Sequence, residues 1–298
     1  MRRLGGWAIA VFAVLAVAGC GSSKSSSATS STSASSSAGA NAAIAAQVPA
    51  KYKSKGTLEI GMEAQYAPNE LLAPDGHTII GMDADMIAAI AHVMGLKVNL
   101  INANFEAIIP GIQAGRYDLG VSSFTDTKER EKVVDFVTYY SAGISFYAKT
   151  ASSPGVKTLA DLCGKKVAVQ KGTVEEEEAN AERKKCAKEG KKSVTILSFT
   201  NQNPVNLAVA SGRGELGMAD SPVVAYQIKQ SAGAFKLIGE SYNFKPYGFA
   251  IPKNSGLAAP MLAALKLMMS NGTYTQILTK WGIQSGAISN PKINGAIS

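Results

Sequence analysis

Tyr117-Asp118-Leu119-Gly120-Val121-Ser122-Ser123-Phe124-Thr125-Asp126-Thr127-Lys128-Glu129-Arg130, running on to Val134-Asp135-Phe136, is the stretch on which the reading of this chain turns. Tyr117 to Val121 has the composition of a strand, and Ser122 to Arg130 that of the loop at its carboxyl end. Hydroxyls and exposed backbone N–H groups at such an end, with a guanidinium nearby, make a receptor for a carboxylate. The guanidinium offers two parallel donors that match the two carboxylate oxygens, and charge-assisted bonds are roughly twice as strong as neutral ones. The same spacing also suits a solvated turn in which Arg130 pairs with Asp126 or Glu129. Taken alone, the stretch leaves both readings open.

Outward from it, strand and helix patterns alternate. Upstream, Thr57–Met62 reads as a strand followed by the loop Glu63-Ala64-Gln65-Tyr66-Ala67-Pro68, then a Pro74-Asp75-Gly76 turn and a helix from about Asp85 to Met94. Met86, Ile87, Ile90, Ala91 and Met94 recur at helical spacing and Gly95 supplies the stop, with His92 off the apolar face. A strand over Lys97–Ile101 and a helix over Ile108–Ala114 complete this unit. Downstream, a second unit begins near Gly143: a strand to Gln170, a helix from Val174 to about Lys188, a strand over Val194–Leu197, and a helix from Pro204 to Ser211 with Leu207 and Ala210 inward. A strand ending at Asp220 and a helix over Pro222–Lys229 follow. Phe244–Ile251 returns the chain to the first unit, which the helices over Ala259–Ser270 and Tyr274–Trp281 complete. Such alternation predicts mostly parallel sheets with flanking helices, whose ligands sit at the strands' carboxyl ends. Thr173 stands at a helix N-cap, where a hydroxyl and N–H groups can also hold an anion. Asp220 stands at the next N-cap. The charges of the Val174–Lys188 helix, Glu175 to Glu178 first and lysines last, complement its dipole.

The 298 residues are 46% hydrophobic and 17% charged, an ordinary globular composition with a formal net charge of +8. The lysines are spread out rather than interleaved with aromatics, which argues against nucleic acid. Met1-Arg2-Arg3 and the apolar run Trp7–Ala18 read as a secretory signal over residues 1–19, ending in Val17-Ala18-Gly19-Cys20, which resembles a lipobox. Residues 20–50 then read as a lipidated Cys20 and a disordered Ser/Ala-rich tether, which over some 27 residues would span roughly 30 Å. Outside the cytoplasm the remaining even pair, Cys163 and Cys186, is expected to be bridged. No metal or other cofactor is expected, since His77 and His92 lack partners at ligand spacing.

The opening stretch resembles the Ser-Ser-x-[Ser/Thr]-x-Thr-x-x-Arg…Asp-Phe motif of extracytoplasmic solute-binding proteins, family 3, which feed polar amino acids to ABC importers. The resemblance runs from about Gly56 to Gly282 and includes two further elements. Glu63–Pro68 resembles an Asp-x-x-Tyr-x-Pro-Phe element, with Glu63 in place of Asp and Asn69 where an aromatic is usual. Asp220 ends a segment similar to the family's Asp-Ala-x-x-x-Asp.

What the resemblance implies is a type II periplasmic-binding-protein-like fold of two α/β lobes, residues 55–141 plus 247–284 and residues 142–246. Hinge crossovers near Tyr140-Ser141 and Pro246-Tyr247 would join them, and a flexible tail over 285–298 would follow. Arg130 with Ser123, Thr125 and Thr173 would clamp a ligand carboxylate, and Asp220 its ammonium. Tyr66 and Phe105 would face each other across the ligand side chain, while Glu63 and Gln170 would meet its polar end. Lys171 is a rival partner for Glu63. The implied protein is a monomeric, lipid-anchored carrier, without catalytic residues, that hands an amide or basic amino acid to an ABC permease. The alternatives are a cyclohexadienyl dehydratase-like enzyme, similar in fold, or a stand-alone amino-acid sensor.

Overall fold

The computed structural model describes residues 39–297, so the signal segment and Cys20 lie outside the described residues. The first half of the chain runs α1 (Ala42–Gln47), α2 (Ala50–Lys55), β1 (Thr57–Met62), short strands β2 (Gln65–Tyr66), β3 (Glu70–Leu72) and β4 (Ile79–Ile80), α3 (Met82–Val93), β5 (Lys97–Asn102), α4 (Phe105–Gln113), β6 (Leu119–Gly120) and α5 (Lys128–Glu131). Then follow β7 (Val134–Lys149), β8 (Lys166–Gln170), α6 (Val174–Lys188), β9 (Thr195–Phe199), α7 (Gln202–Ala210), β10 (Leu216–Asp220), α8 (Ser221–Gln230), β11 (Phe235–Pro252), α9 (Ala258–Ser270) and α10 (Thr273–Trp281).

Eight strands form one sheet in the order β5-β1-β6-β11-β7-β10-β8-β9. β1 is parallel to β5 and β6, and β8 is parallel to β9 and β10. The antiparallel pairs in this sheet all involve the long strands β7 and β11, which run past each other from Val134 opposite Pro252 to Lys149 opposite Phe235. β11 pairs with β6 through Ala250, and β7 pairs with β10 through Ile144–Tyr147. Two parallel half-sheets are therefore joined by a two-stranded ribbon, in which Tyr140 lies opposite Tyr247 and Ser141 opposite Pro246. This is the two-lobed α/β architecture. Each half buries its own apolar layers: Ile60, Ile90, Phe249 and Leu265 in one, Phe146, Val169, Leu216 and Met218 in the other. Covering both faces of each half-sheet removes apolar side chains from water, the main favourable term in folding.

Three segments depart from the sequence expectation. The tether was expected to run to residue 50, yet Asn41 caps α1, its side chain accepting from the Ile44 N–H at 3.1 Å, and Ile44, Val48 and Tyr52 enter the first core. Ala-rich composition reads as linker, but three apolar side chains with a core to join suffice to order it. In α7 the inward residues are Gln202, Val205, Ala208 and Val209, whereas Leu207 is 69% exposed and Ala210 is exposed too. The helix sits against Ala168 of β8, where small side chains allow close approach. Residues 288–296, expected to be loose, lie along the start of β7, with Thr138 N–H donating to Lys292 O at 2.9 Å and Asn294 N–H to Phe136 O at 2.9 Å. Cys163 and Cys186 are bridged, with Cα atoms 5.6 Å apart, so the bridge ties the entry to β8 to the end of α6.

Candidate functional site

The carboxyl ends of β1, β6, β8 and β10 and the N-terminus of α6 converge on one cavity. It is lined by Glu63, Tyr66, Phe105, Ser122, Ser123, Thr125, Arg130, Gln170, Thr173, Val174, Glu175 and Asp220. All nine residues singled out in the sequence are among them. The cavity has a volume of only about 10 Å³, so its walls are closed on each other.

Arg130 spans the two halves. Its Nη1 donates to Thr125 O at 2.8 Å and its Nη2 to Gly172 O at 3.0 Å, while its guanidinium lies over Phe105 and Phe124 at 5.5 and 5.7 Å. Neither Asp126 nor Glu129 pairs with it, which removes the solvated-turn reading. Phe105 and Phe124 are stacked at 4.6 Å, so Phe105 is fixed against the first half. Tyr66 packs with the second half's core, beside Ala219 and Val223, and its hydroxyl donates to Asp220 Oδ2 at 2.8 Å. Asp220 occupies the N-cap position of α8 without capping it, because its carboxylate is turned to Tyr66. Thr173 does cap α6: its Oγ1 accepts from the Glu176 N–H and donates to Gln170 O.

Ser123 differs from expectation. With φ at +49° its backbone is left-handed, uncommon for a residue with a Cβ, and its hydroxyl is engaged by Asn69, Asp83 and Glu70. Its N–H donates to Asp83 Oδ2 at 2.7 Å, and Tyr139 Oη donates to Asp83 Oδ1 at 2.6 Å. Ser122 Oγ donates to Glu70 Oε1 and accepts from the Glu63 N–H. These serines brace the wall from behind, and Asn69, in place of an aromatic, is part of that brace. Burial pushes the Glu70 carboxyl well above the usual range, with the Asp83 charge adding to the rise, and burial raises Asp83 too.

Glu63 is buried, and two amides from the second half reach it: Gln170 Nε2 at 3.3 Å and Asn201 Nδ2 at 3.1 Å. Burial pushes its pKa up to about 7 despite those donors. Lys171 does not reach Glu63 but pairs with Glu106 at 2.9 Å. Asp220 is raised by burial to about 6, against the pull of Tyr66 and Arg130. Burial pushes Arg130 below its ordinary value. Glu175, 2% exposed with Oε1 unpartnered, is raised well above the carboxylate range by burial and by Asp220. The sequence reading missed Glu175, Asn201 and Val174. In the sequence Glu175 is one of four charges on a helix start, yet its place two residues past Thr173 is the turn that faces the cleft.

Two lobes joined by a ribbon, with a polar cleft where their strands end, define the class of two-lobed binding folds. The model of the bacterial extracellular solute-binding proteins, family 3, matches residues 58–284, and the chain belongs to that family. The arginine-binding protein ArgT of Corynebacterium glutamicum is 35% identical over 252 residues, covering 84% of this chain and 82% of that protein. The ABC transporter glutamine-binding protein GlnH of Bacillus subtilis is 29% identical, covering 92% and 94%. An ancestral arginine-binding protein bound to arginine superposes with a TM-score of 0.71 at 34% identity, covering 76% of this chain and 98% of the other. An ancestral amino-acid-binding protein described as a precursor of cyclohexadienyl dehydratase reaches 0.70 at 33% identity, covering 78% and 97%.

Proposed function

We propose that this protein binds a cationic amino acid, arginine foremost, in the cleft between lobes 55–141 plus 247–284 and 142–246, and delivers it to an ABC permease. The observation that carries this is a charge imbalance: Glu63, Glu175 and Asp220 share the cavity with one guanidinium, Arg130. An α-carboxylate takes Arg130, whose unused donors and the first N–H groups of α6 suit it, alongside Thr125 and Thr173. The α-ammonium takes Asp220. That leaves two buried carboxyls with nothing to neutralise them, and buried charge is costly unless paired. A guanidinium side chain, packed between Tyr66 and Phe105, supplies five donors to Glu63, Gln170 and Glu175. Glutamine offers donors without charge, and glutamate adds repulsion. Because Arg130 and α6 lie on different lobes, a ligand held by both favours closure.

On this reading Cys20 carries a lipid that keeps the monomer at the outer face of the cell membrane, without catalytic residues. Titration calorimetry of the purified protein with arginine, glutamine and glutamate tests it. Arginine is expected to bind tightest, and tighter binding of glutamate sinks the assignment.

A dehydratase is the second reading, favoured by one observation: Glu175 is a buried carboxyl at the cleft with one oxygen that no protein group meets, placed as a proton donor to a leaving hydroxyl would be. Incubation with prephenate and arogenate, followed by ultraviolet absorbance of an aromatic product, separates the two. Turnover would displace the carrier reading.

A further inference from the structure

The family match ends at residue 284, yet the chain beyond it is tied to the turn that bears Arg130. Lys292 and Thr138 exchange bonds, the Lys292 N–H donating to Thr138 Oγ1 at 2.8 Å, and Ile293 bridges Val137. Asn294 Oδ1 accepts from the Phe136 N–H at 2.8 Å, and its Nδ2 donates to Asp135 at 3.0 Å. The next two residues reach past β7. The Gly295 N–H donates to Asp126 Oδ2 at 2.7 Å, and the Ala296 N–H donates to Glu131 Oε1 at 3.1 Å. A Cβ on Gly295 would lie 2.9 Å from Thr138 Cγ2, so glycine is what lets the chain come this close.

Asp126 and Glu131 bracket the turn. Between them Thr127 caps α5, its Oγ1 accepting from the Arg130 N–H at 3.2 Å. Asp126 is fully buried and interacts with the Glu131 carboxyl beside it, and the Gly295 N–H is a principal donor to it. α5 is a single turn with no fully buried residue, anchored on the cleft side through the Arg130 guanidinium at Thr125 O and Gly172 O, so the tail holds its other side.

We propose that Lys292–Ala296 is a positioning strap for Arg130: by holding the carboxyls on either side of the turn, it presets the guanidinium for its ligand. The inference rests on the carboxylate-clamp reading above. Without the strap, the turn must be ordered at the moment of binding, at a cost equal to immobilising about one long side chain, which weakens affinity about three- to tenfold.

The test uses the mature chain and a version ending at Pro291. Calorimetry with arginine should show the three- to tenfold loss, and ligand-free amide hydrogen exchange should speed up at Thr127–Arg130 while that of β8 is unchanged. Asp126→Ala should reproduce both effects if the truncated chain fails to fold. Asp126→Asn, which keeps an acceptor oxygen for Gly295, should stay within threefold of the parent. Unchanged affinity and exchange in Asp126→Ala, or a lower melting temperature with unchanged affinity, overturns the strap. If the parent binds no arginine the cationic-ligand reading fails, and the ligand-free exchange still decides whether the tail orders the turn.

Discussion

The two walls of the cleft are built on opposite plans. The wall from the first lobe is braced from behind: Ser122 and Ser123 are bonded to Glu70 and Asp83, and Tyr139 closes the network. Burial raises both Glu70 and Asp83, and the Asp83 charge raises Glu70 further, since two adjacent buried carboxylates cannot both ionise cheaply. The wall from the second lobe carries Glu175 with an oxygen that no protein group meets, beside an Asp220 that Tyr66 engages from across the cleft. The first wall turns its hydroxyls and carboxyls on one another, and the second presents a carboxyl oxygen that no protein group meets. The brace behind the first wall and the open carboxyl of the second are therefore separable, the one through stability and the other through recognition, and substitutions should show it.

Arg130→Ala should have the largest effect. Removing one partner of a desolvated charge pair costs about 2–5 kcal/mol of binding, with little change in melting temperature because the residue lies at the cleft. Calorimetry that finds affinity within threefold of the parent would show that the guanidinium is not the clamp. Glu175→Gln comes next. It should reduce the preference for arginine over glutamine by about 1.5–3 kcal/mol, the worth of a hydrogen bond to a charged group, and leave the apo protein no less stable. An unchanged preference would erase the distinction between the walls. Tyr139→Phe is the converse: stability in urea should fall by about 1–3 kcal/mol as Asp83 loses a donor, with arginine affinity unchanged.

The smallest effect is a pH dependence. Glu63, at about 7 in the folded state against an ordinary 4.5, keeps a proton there that it loses in the unfolded chain, and Asp220, at about 6 against 3.8, acts in the same direction. Apo stability should therefore fall as pH rises from about 4.5 to 7. The rise in melting temperature produced by arginine should do the opposite and be larger at pH 8 than at pH 5.5, because an ionised Glu63 holds a cation better. A ligand-induced shift that shrinks over this range would place the cation elsewhere.

Much of this was legible in the chain because the signals were local. Helix α6 begins and ends where Thr173 and the lysines place it, and the strands before Glu63, Gln170 and Asp220 end at their polar residues. The gathering of nine site residues followed from a resemblance carried by three separated motifs. What escaped depended on distant partners. Nothing near Ser123 in sequence announces Asp83 or Glu70, more than 30 residues away, so its hydroxyl was given to a ligand. Lys171 is adjacent to Gln170, which suggested Glu63, but β8 ends at Gln170 and the chain turns there, and its partner is Glu106. The apolar pattern of α7 puts Leu207 inward, whereas the face that meets the sheet carries Gln202, Val205, Ala208 and Val209. Polar composition concealed the tail, whose order comes from backbone bonds to β7 rather than from apolar burial.

The ribbon of β7 and β11 has a mechanical consequence. Its strands cannot stretch, their cross-bonds resist sliding, and a two-stranded ribbon carries more twist than a broad sheet. The register breaks between Ile238 and Tyr242, between Tyr242 and Lys245, and between Tyr247 and Gly248 lie near the crossover, and such bulges add local twist. Among the described residues this ribbon is the sheet's link between the halves, so any rotation of one half against the other is taken up in it as twist. A bond grafted across the ribbon at Ser141 and Pro246 would act as a brake on that rotation while leaving every side chain in the cleft untouched.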